Sequence, residues 1–389
     1  MNGYYFATVF ITVATMLAVS IHLLENETLS RRVKGELKTI AIFVIAGVLC
    51  ECIGTYLDGK EDGLRIAHGV VKATEFIIAP LIPMYFIKIV ARKERRKTID
   101  SVIKIVLLVN VILEVISMFV PFIFFIDENN VYNHGKYYFI YILMYFGGIG
   151  TFLFMLQKYL KKYQNRNKVT LLTLVVFMLA GFSIRLIDDS IYTDWMVVAI
   201  TYLLFMIYYS DLSLKVDPLT ELLNRKSYEH RLKKLDYPSA IILIDANNFK
   251  LVNDQYGHQC GDNVLKVIAK TILEVYGKYG HCYRIGGDEF CVILKQGVIE
   301  DYSALHPKAN FSKVLEELGH KMDDELEAKC AEYPMLKDGV SKGFAIFSGL
   351  YDIDAKDNVN NHYTLTSVKE TVKLADERMY KEKEKKKSK

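Results

Sequence analysis

The sequence predicts a multi-pass α-helical membrane bundle over residues 1–209, a short linker at 210–216 and an α+β domain over 217–389. Three observations predict it. Hydrophobic residues make up 51% of the 389 positions and mean hydropathy is positive, more than an ordinary soluble chain carries. The excess is uneven: up to about Tyr209 the chain is a series of long apolar runs, and from about Ser210 its texture is mixed and charged. The second half alternates short runs of branched residues with segments of helical period, as a domain with its own sheet does.

A helix needs roughly 20 apolar residues to cross a bilayer. Seven segments qualify as candidates: 3–24, 39–57, 69–90, 100–126, 137–158, 169–185 and 193–209, the sixth being short. Pro80 and Pro83 are expected to kink the third. Lys and Arg cluster in alternate loops, at Arg31, Arg32 and Lys34, at Arg92 to Lys97, and at Lys161 to Lys168, while the other loops are acidic or nearly uncharged. This places the N-terminus outside and the C-terminal domain in the cytoplasm. No basic stretch precedes the first apolar run, which argues against a cleaved signal peptide. Glu51, Glu75 and Glu114 fall inside the predicted spans, where ionisable groups are costly and mark candidate sites. They either pair with Tyr or Ser hydroxyls or line an outward-facing pocket at Glu51 and Glu75 for a small ligand, a cationic one by their charge.

In the soluble half, Cys260, Cys282, Cys291 and Cys330 have neither zinc spacing nor a disulfide framework. SAIILI (Ser239 to Ile244) has the length and branching of a buried strand and ends in Asp245. A helical pattern beginning after Asp262 makes that residue a plausible N-cap. The stretch YRIGGDEFCVIL (Tyr283 to Leu294) reads as a hairpin, its glycine pair supplying the positive φ of a tight turn. By itself that leaves Asp288 and Glu289 as polar turn residues. If the two strands share a sheet, however, Asp245 and Asp288 converge, and two carboxylates that close ask for a hard divalent cation between them. Mg²⁺ keeps waters and shares substrate phosphates, so the pair points to a nucleotide. Lys250 and the basic tail offer charge to the same phosphates, and no GxxxxGK[ST] or GxGxxG motif is present.

Four motifs then carry a resemblance: DPLTELLNR (Asp217 to Arg225), DANNFKLVNDQYGHQCGD (Asp245 to Asp262), RIGGDEF (Arg284 to Phe290) and KLADERMYKEK (Lys373 to Lys383). Together, and in this order, they resemble the GGDEF family of diguanylate cyclases from Asp217 to the C-terminus. The resemblance implies a palm-like fold similar to polymerases and nucleotidyl cyclases, and condensation of two GTP into cyclic diguanylate with loss of two pyrophosphates. It implies that Asp245, the Ala246 carbonyl and Asp288 bind Mg²⁺, with Mn²⁺ as an alternative. Glu289 would add to the metal site or to deprotonation of the attacking hydroxyl. Asn253 and Asp262 correspond to the guanine-reading pair, which is compatible with a cap at Asp262; His258 lies in the same segment. Lys250, Lys383 and Lys387 match phosphate positions. GTP, a second copy of the chain and the membrane are the implied partners; nucleic acid is not.

The sequence also departs from the family pattern. Glu221 stands where glycine is usual and is expected to perturb a turn near the phosphates. Asn247 replaces a frequent aspartate, and Lys342 an apolar residue. The inhibitory RxxD before the glycine pair is replaced by Gly277-Lys278-Tyr279-Gly280, so weak or no product inhibition is expected through that site. The segment 296–340 is long for the family, and its run Phe311 to Ala331 is expected as an enlarged surface helix. The lysine tail reads either as a solvated end, as a phosphate site, or as attracted to anionic lipid. Two other functions fit less well: a degenerate domain that binds GTP without catalysis, and a transporter with a regulatory domain.

Overall fold

The computed structural model describes residues 3–60, 62–91, 96–162, 173–178, 181, 184, 192–295, 311–347 and 367–388. Two compact units comprise Met1–Leu214 and Lys215–Lys389.

The first unit contains α1 (Gly3–Glu25), α2 (Arg31–Leu57), α3 (Arg65–Ile78), α4 (Leu81–Val90), α5 (Arg96–Ser117), a hairpin of β1 (Phe124–Ile126) and β2 (Tyr132–His134), α6 (Tyr138–Lys162) and α7 (Asp194–Ser213). Among the described residues five stretches are long and apolar enough to cross a membrane: α1, α2, α3 with α4, α6 and α7. Large apolar side chains such as Phe10, Ile42 and Leu143 face outward, an arrangement that suits apolar surroundings. The other two expected spans differ. The sixth, 169–185, lies largely outside the described residues. The fourth, 100–126, is not one helix: α5 stops at Ser117, and Phe124–Ile126 pairs antiparallel with Tyr132–His134. Pro121 cannot continue the helix, and Asp127 Oδ1 closes the hairpin turn by accepting from the amides of Asn129 and Val131.

The expected kink is a break. α3 ends at Ile78 and α4 begins at Leu81 because Pro80 has no N–H to give to the Phe76 carbonyl one turn back. Asn110 of α5 supplies it, its Nδ2 donating to Phe76 O at 3.0 Å and Ile77 O at 3.3 Å. Glu75, expected with Glu51 to line a pocket for a small ligand, finds partners on its own helix and on α7. Lys72 Nζ lies 3.0 Å from Glu75 Oε2, and Trp195 Nε1 donates to Glu75 Oε1 at 3.4 Å. Glu75 thus already has a cation and an indole N–H as partners.

The second unit is built on a four-stranded antiparallel sheet in the order β4 (Gly280–Arg284), β5 (Glu289–Lys295), β3 (Ser239–Ala246), β6 (Val340–Phe347). β3 is buried along its whole length, which explains its continuous apolar run. Alternate residues serve two cores. Ala240, Ile242 and Ile244 pack with Ile268 and Ile272 of α10 (His258–Tyr276) and Leu318 and Met322 of α11 (Phe311–Lys329). Ile241 and Leu243 pack with Tyr228 of α8 (Arg225–Lys233) and with Ala375 and Met379 of α12 (Val368–Lys387). The helix expected on the surface at 311–331 is therefore a structural layer, because its Val314, Leu315 and Leu326 also enter the core. The connection 296–310 lies outside the described residues. α12 starts at a capping box, Ser367 with Glu370, and lies flat on β6 at Gly343, where a Cβ would overlap Ala375 O and Met379 N.

Candidate active site

The centre of the site is a register. In β3–β5 pairing Asp245 stands opposite Glu289, and beyond the last pair the Ala246 amide donates to the Asp288 carbonyl at 3.1 Å. Asp245 and Asp288 thus sit at neighbouring strand ends, and on the other side Asp245 faces Ser341 of β6. The tight turn is closed by the Ile285 and Gly286 amides donating to Glu289 O at 2.9 and 3.2 Å. The glycines have a different role from the one expected. Among the described glycines positive φ occurs at Gly59, Gly257 and Gly339 but not at Gly286 or Gly287. Gly286 lies against Glu289: a Cβ there would come within 2.5 Å of Glu289 Oε2 and 3.1 Å of its Cβ, a contact the exposed carboxylate can relieve by turning away.

A second segment braces this turn. Arg284 donates to Gly287 O at 2.7 Å and pairs with Asp217 Oδ1 at 3.1 Å. Asp217 Oδ1 also accepts from Thr220 N and Oγ1 at 2.8 and 2.6 Å. Burial pushes the Asp217 carboxyl up, but the Thr220 and Arg284 bonds outweigh it and hold it below the ordinary value. DPLTELLNR is thus tied to the hairpin through Asp217. Glu221 has φ 62°, the left-handed region in which only glycine is unstrained. The expected perturbation takes the form of strain at one residue, and the turn still closes, with Glu221 N donating to Asp217 O at 2.9 Å.

Asp245 is 7% exposed, and Lys383 Nζ of α12 lies 2.5 Å from its Oδ1. Burial raises the Asp245 carboxyl above its ordinary value; Lys383 opposes this, the Asp288 charge adds to it and the Lys387 charge opposes it. The lysine tail is helical to Lys387, so the solvated-end alternative fails for Lys383. Lys386, which motif comparison passed over, donates to Val340 O at 2.7 Å and pairs with Glu382 at 2.9 Å. Its signal was spacing: three residues after Lys383 on a helix is the same face. Beside this face lies a cavity of about 460 Å³, lined in part by Asn247, Lys337, Asp338, Lys383, Lys386 and Lys387.

The donor chemistry fits a divalent metal. Asp245 and Asp288 present hard oxygens from adjacent strand ends, and no group of three His, Cys, Asp or Glu among the described residues forms a complete protein cage. A two-carboxylate corner leaves coordination positions for water and phosphate, as suits a small hard ion.

The residues expected at the base lie on another edge. α9 (Phe249–Tyr256) and α10 meet at Gly257, φ 81°. Because α10 begins at His258, Asp262 falls in its second turn and is not the N-cap; that place belongs to Gly257. Asn253 lies against Gly261, the residue before Asp262, where a Cβ would overlap Asn253 Oδ1. Lys250, His258 and Asp262 are exposed. Asn247 has its own partners, donating to Asp338 O at 2.7 Å and accepting from Ser341 Oγ at 2.7 Å; an aspartate could not make the first bond. Lys342 likewise reaches Gly319 O at 2.8 Å and Asp323 at 2.5 Å, fastening α11 to β6.

Comparison with known proteins agrees with these features. Residues 214–325 match the family model described as diguanylate cyclase, GGDEF domain. The chain is similar to a diguanylate cyclase of Vibrio cholerae, 41% identical over 91 residues, 22% of this chain and 28% of the relative. It is also similar to the diguanylate cyclase DgcN of Escherichia coli, 42% identical over 84 residues, 20% of this chain and 21% of that protein. These matches thus span less than a third of either relative. Among solved structures, the GGDEF domain of DgcB from Caulobacter crescentus in complex with c-di-GMP is 22% identical, covering 44% of this chain and 91% of that one, with a TM-score of 0.31. At residues 214–325 the chain carries a GGDEF domain of the diguanylate cyclase family.

Proposed function

We propose that the protein is a membrane-held diguanylate cyclase that condenses two GTP into cyclic di-GMP and two pyrophosphates. The observation that carries this is the strand register that sets Asp245 beside the Asp288–Glu289 corner, with Lys383 on Asp245. Asp245, Asp288 and the Ala246 carbonyl would hold Mg²⁺, or Mn²⁺ in its place. When bound, the ion supplies Lewis-acid stabilisation of charge on the α-phosphate and favours the ionised 3′-hydroxyl. Glu289, exposed at the strand start, is placed to assist the ion or to take that hydroxyl's proton. Asn253 and Asp262 read guanine: a carboxylate accepts from both N1–H and the 2-amino group, donors that adenine does not present together. Lys250, Lys383 and Lys387 balance phosphate charge, and His258 borders the base.

Each domain holds one GTP, so the new bonds form between two domains, and the active protein is a homodimer. The apolar helices anchor it in the cell membrane with its N-terminus outside and the GGDEF domain in the cytoplasm, supported by the alternation of Lys and Arg among the loops. The membrane unit controls the enzyme through the short connection after α7. The test is to incubate membranes carrying the full chain with GTP and Mg²⁺ and to assay cyclic di-GMP and pyrophosphate. Wild type should form them in a one-to-two ratio and Asp288→Ala should lose at least about a hundredfold in rate. GTP binding without product would leave a nucleotide sensor instead.

A further inference from the structure

The buried face of α5 is polar. Its buried residues are Ile103, Asn110, Glu114 and Ser117, whereas Val102, Ile105, Leu108, Ile112 and Val115 are exposed. Two of the three buried polar side chains have clear partners. Asn110 meets the carbonyls freed by Pro80, and Ser117 Oγ donates to Leu113 O at 2.8 Å and accepts from the Ile123 amide at 2.9 Å. Glu114 lies between them. It is 0% exposed, and neither carboxyl oxygen has a hydrogen-bond partner.

Among the described residues no counter-charge bonds to Glu114. α5 runs antiparallel along α3, with Asn110 against Phe76 and Ile77 and Met118 Cε 4.0 Å from where a Gly69 Cβ would be; Glu114 falls between these two contacts in the sequence of α5. Of the ionisable groups of α3, Arg65 Nε donates to Ile126 O at 3.0 Å, and buried His68 keeps an Nε2 without a hydrogen-bond partner. His68 Nδ1–H donates to Asn130, and Lys72 and Glu75 bind each other, Lys72 lying against Gly54 of α2 and Glu75 against Trp195 of α7. On α4, Tyr85 packs edge-on to Phe43 and Lys88 is bound by Glu36 and Asp100. β1, which also packs on α5, is Phe-Phe-Ile. A carboxylate in such a place loses its hydration and gains nothing, whereas the neutral acid loses far less.

We propose that Glu114 is a proton-binding site of the membrane unit, neutral in the packed state, and that release of its proton parts α5 from α3 beside the Pro80 break. In that step the O–H bond breaks, the electron pair stays on the carboxylate, and the proton passes to water admitted as the seam opens. α3 carries Glu75, which holds Trp195 of α7, and α7 is the last helix before the second unit begins at Lys215. Only the effect on product formation rests on the cyclase assignment; the proton site does not.

Trp195 is the single tryptophan of the chain, so its emission reports this joint without reference to catalysis. The experiment follows Trp195 emission against pH for the full chain in lipid nanodiscs, with cyclase rate measured alongside. Wild type should show one titration across the accessible pH range. Glu114→Gln, isosteric with the neutral acid, should lose it and hold one emission level, while Glu114→Asp keeps it with a displaced midpoint. Asp288→Ala, silent as a cyclase, should titrate as wild type does, which separates failure of this proposal from failure of the cyclase assignment. An unchanged titration in Glu114→Gln overturns the proposal. So does a wild-type signal flat with pH, or one lost in Glu75→Gln while it survives in Glu114→Gln.

Discussion

Glu221 shows how one residue can be accommodated in the wrong conformation. Its φ of 62° costs a side-chain-bearing residue roughly 1 kcal/mol or more, of which glycine would return part through its larger unfolded entropy. Glu221→Gly should therefore stabilise the C-terminal unit by up to about 1 kcal/mol, visible as a higher unfolding midpoint in urea. Asp217, which accepts four residues before that strained position, gives a pH-dependent case. Its carboxyl is held below the ordinary value, so its bonds add stability above the unfolded carboxylate range near about 4 and lose it as pH falls through the depressed value. Asp217→Asn should be less stable than wild type at neutral pH, and the difference should close in acid; a gap that widens in acid would contradict the sign. The sequence showed Glu221 as a misfit in a glycine position, but not the Arg284–Asp217 pair. That contact joins positions 67 residues apart, and no local pattern encodes it.

At the scale of elements, periodicity carried the strands and most helices, and it failed where tertiary geometry decides. The apolar run 100–126 is continuous as composition, yet Pro121 and the Asp127 turn divide it into α5 and β1. Asp262 looked like the start of a helix because the apolar period begins there; the backbone enters the helix earlier, at Gly257, through polar residues with no period to reveal them. The lysine tail showed charge without showing its direction. That direction is set by Gly343, which lets α12 lie on β6 so closely that a methyl group would overlap backbone atoms. Since backbone cannot yield as a side chain can, Gly343→Ala should destabilise by about 1–3 kcal/mol or more. It should also weaken GTP binding, because lifting α12 carries Lys383, Lys386 and Lys387 off the site. Thermal unfolding and nucleotide titration on the same sample would show whether the two losses go together.

For the whole molecule, both halves were legible in outline because each solvent leaves its mark on composition: outward apolar faces in the first unit and a two-sided buried strand in the second. The count of spans was less legible, since α5 holds Asp100, Lys104 and Glu114 and buries Asn110, Glu114 and Ser117. If turnover needs two domains, dilution of the detergent-solubilised chain should lower the specific rate and crosslinked dimers should resist that loss; a specific rate constant on dilution would count against the dimer. The contact of Lys383 with Asp245 joins residues 138 apart in the chain and closes over a sheet whose central strand pairs with β5 on one side and β6 on the other. Contacts of such separation form late, after shorter loops have closed. A partly folded chain therefore presents Asp245 without Lys383 beside it, and the paired corner exists only in the completed domain.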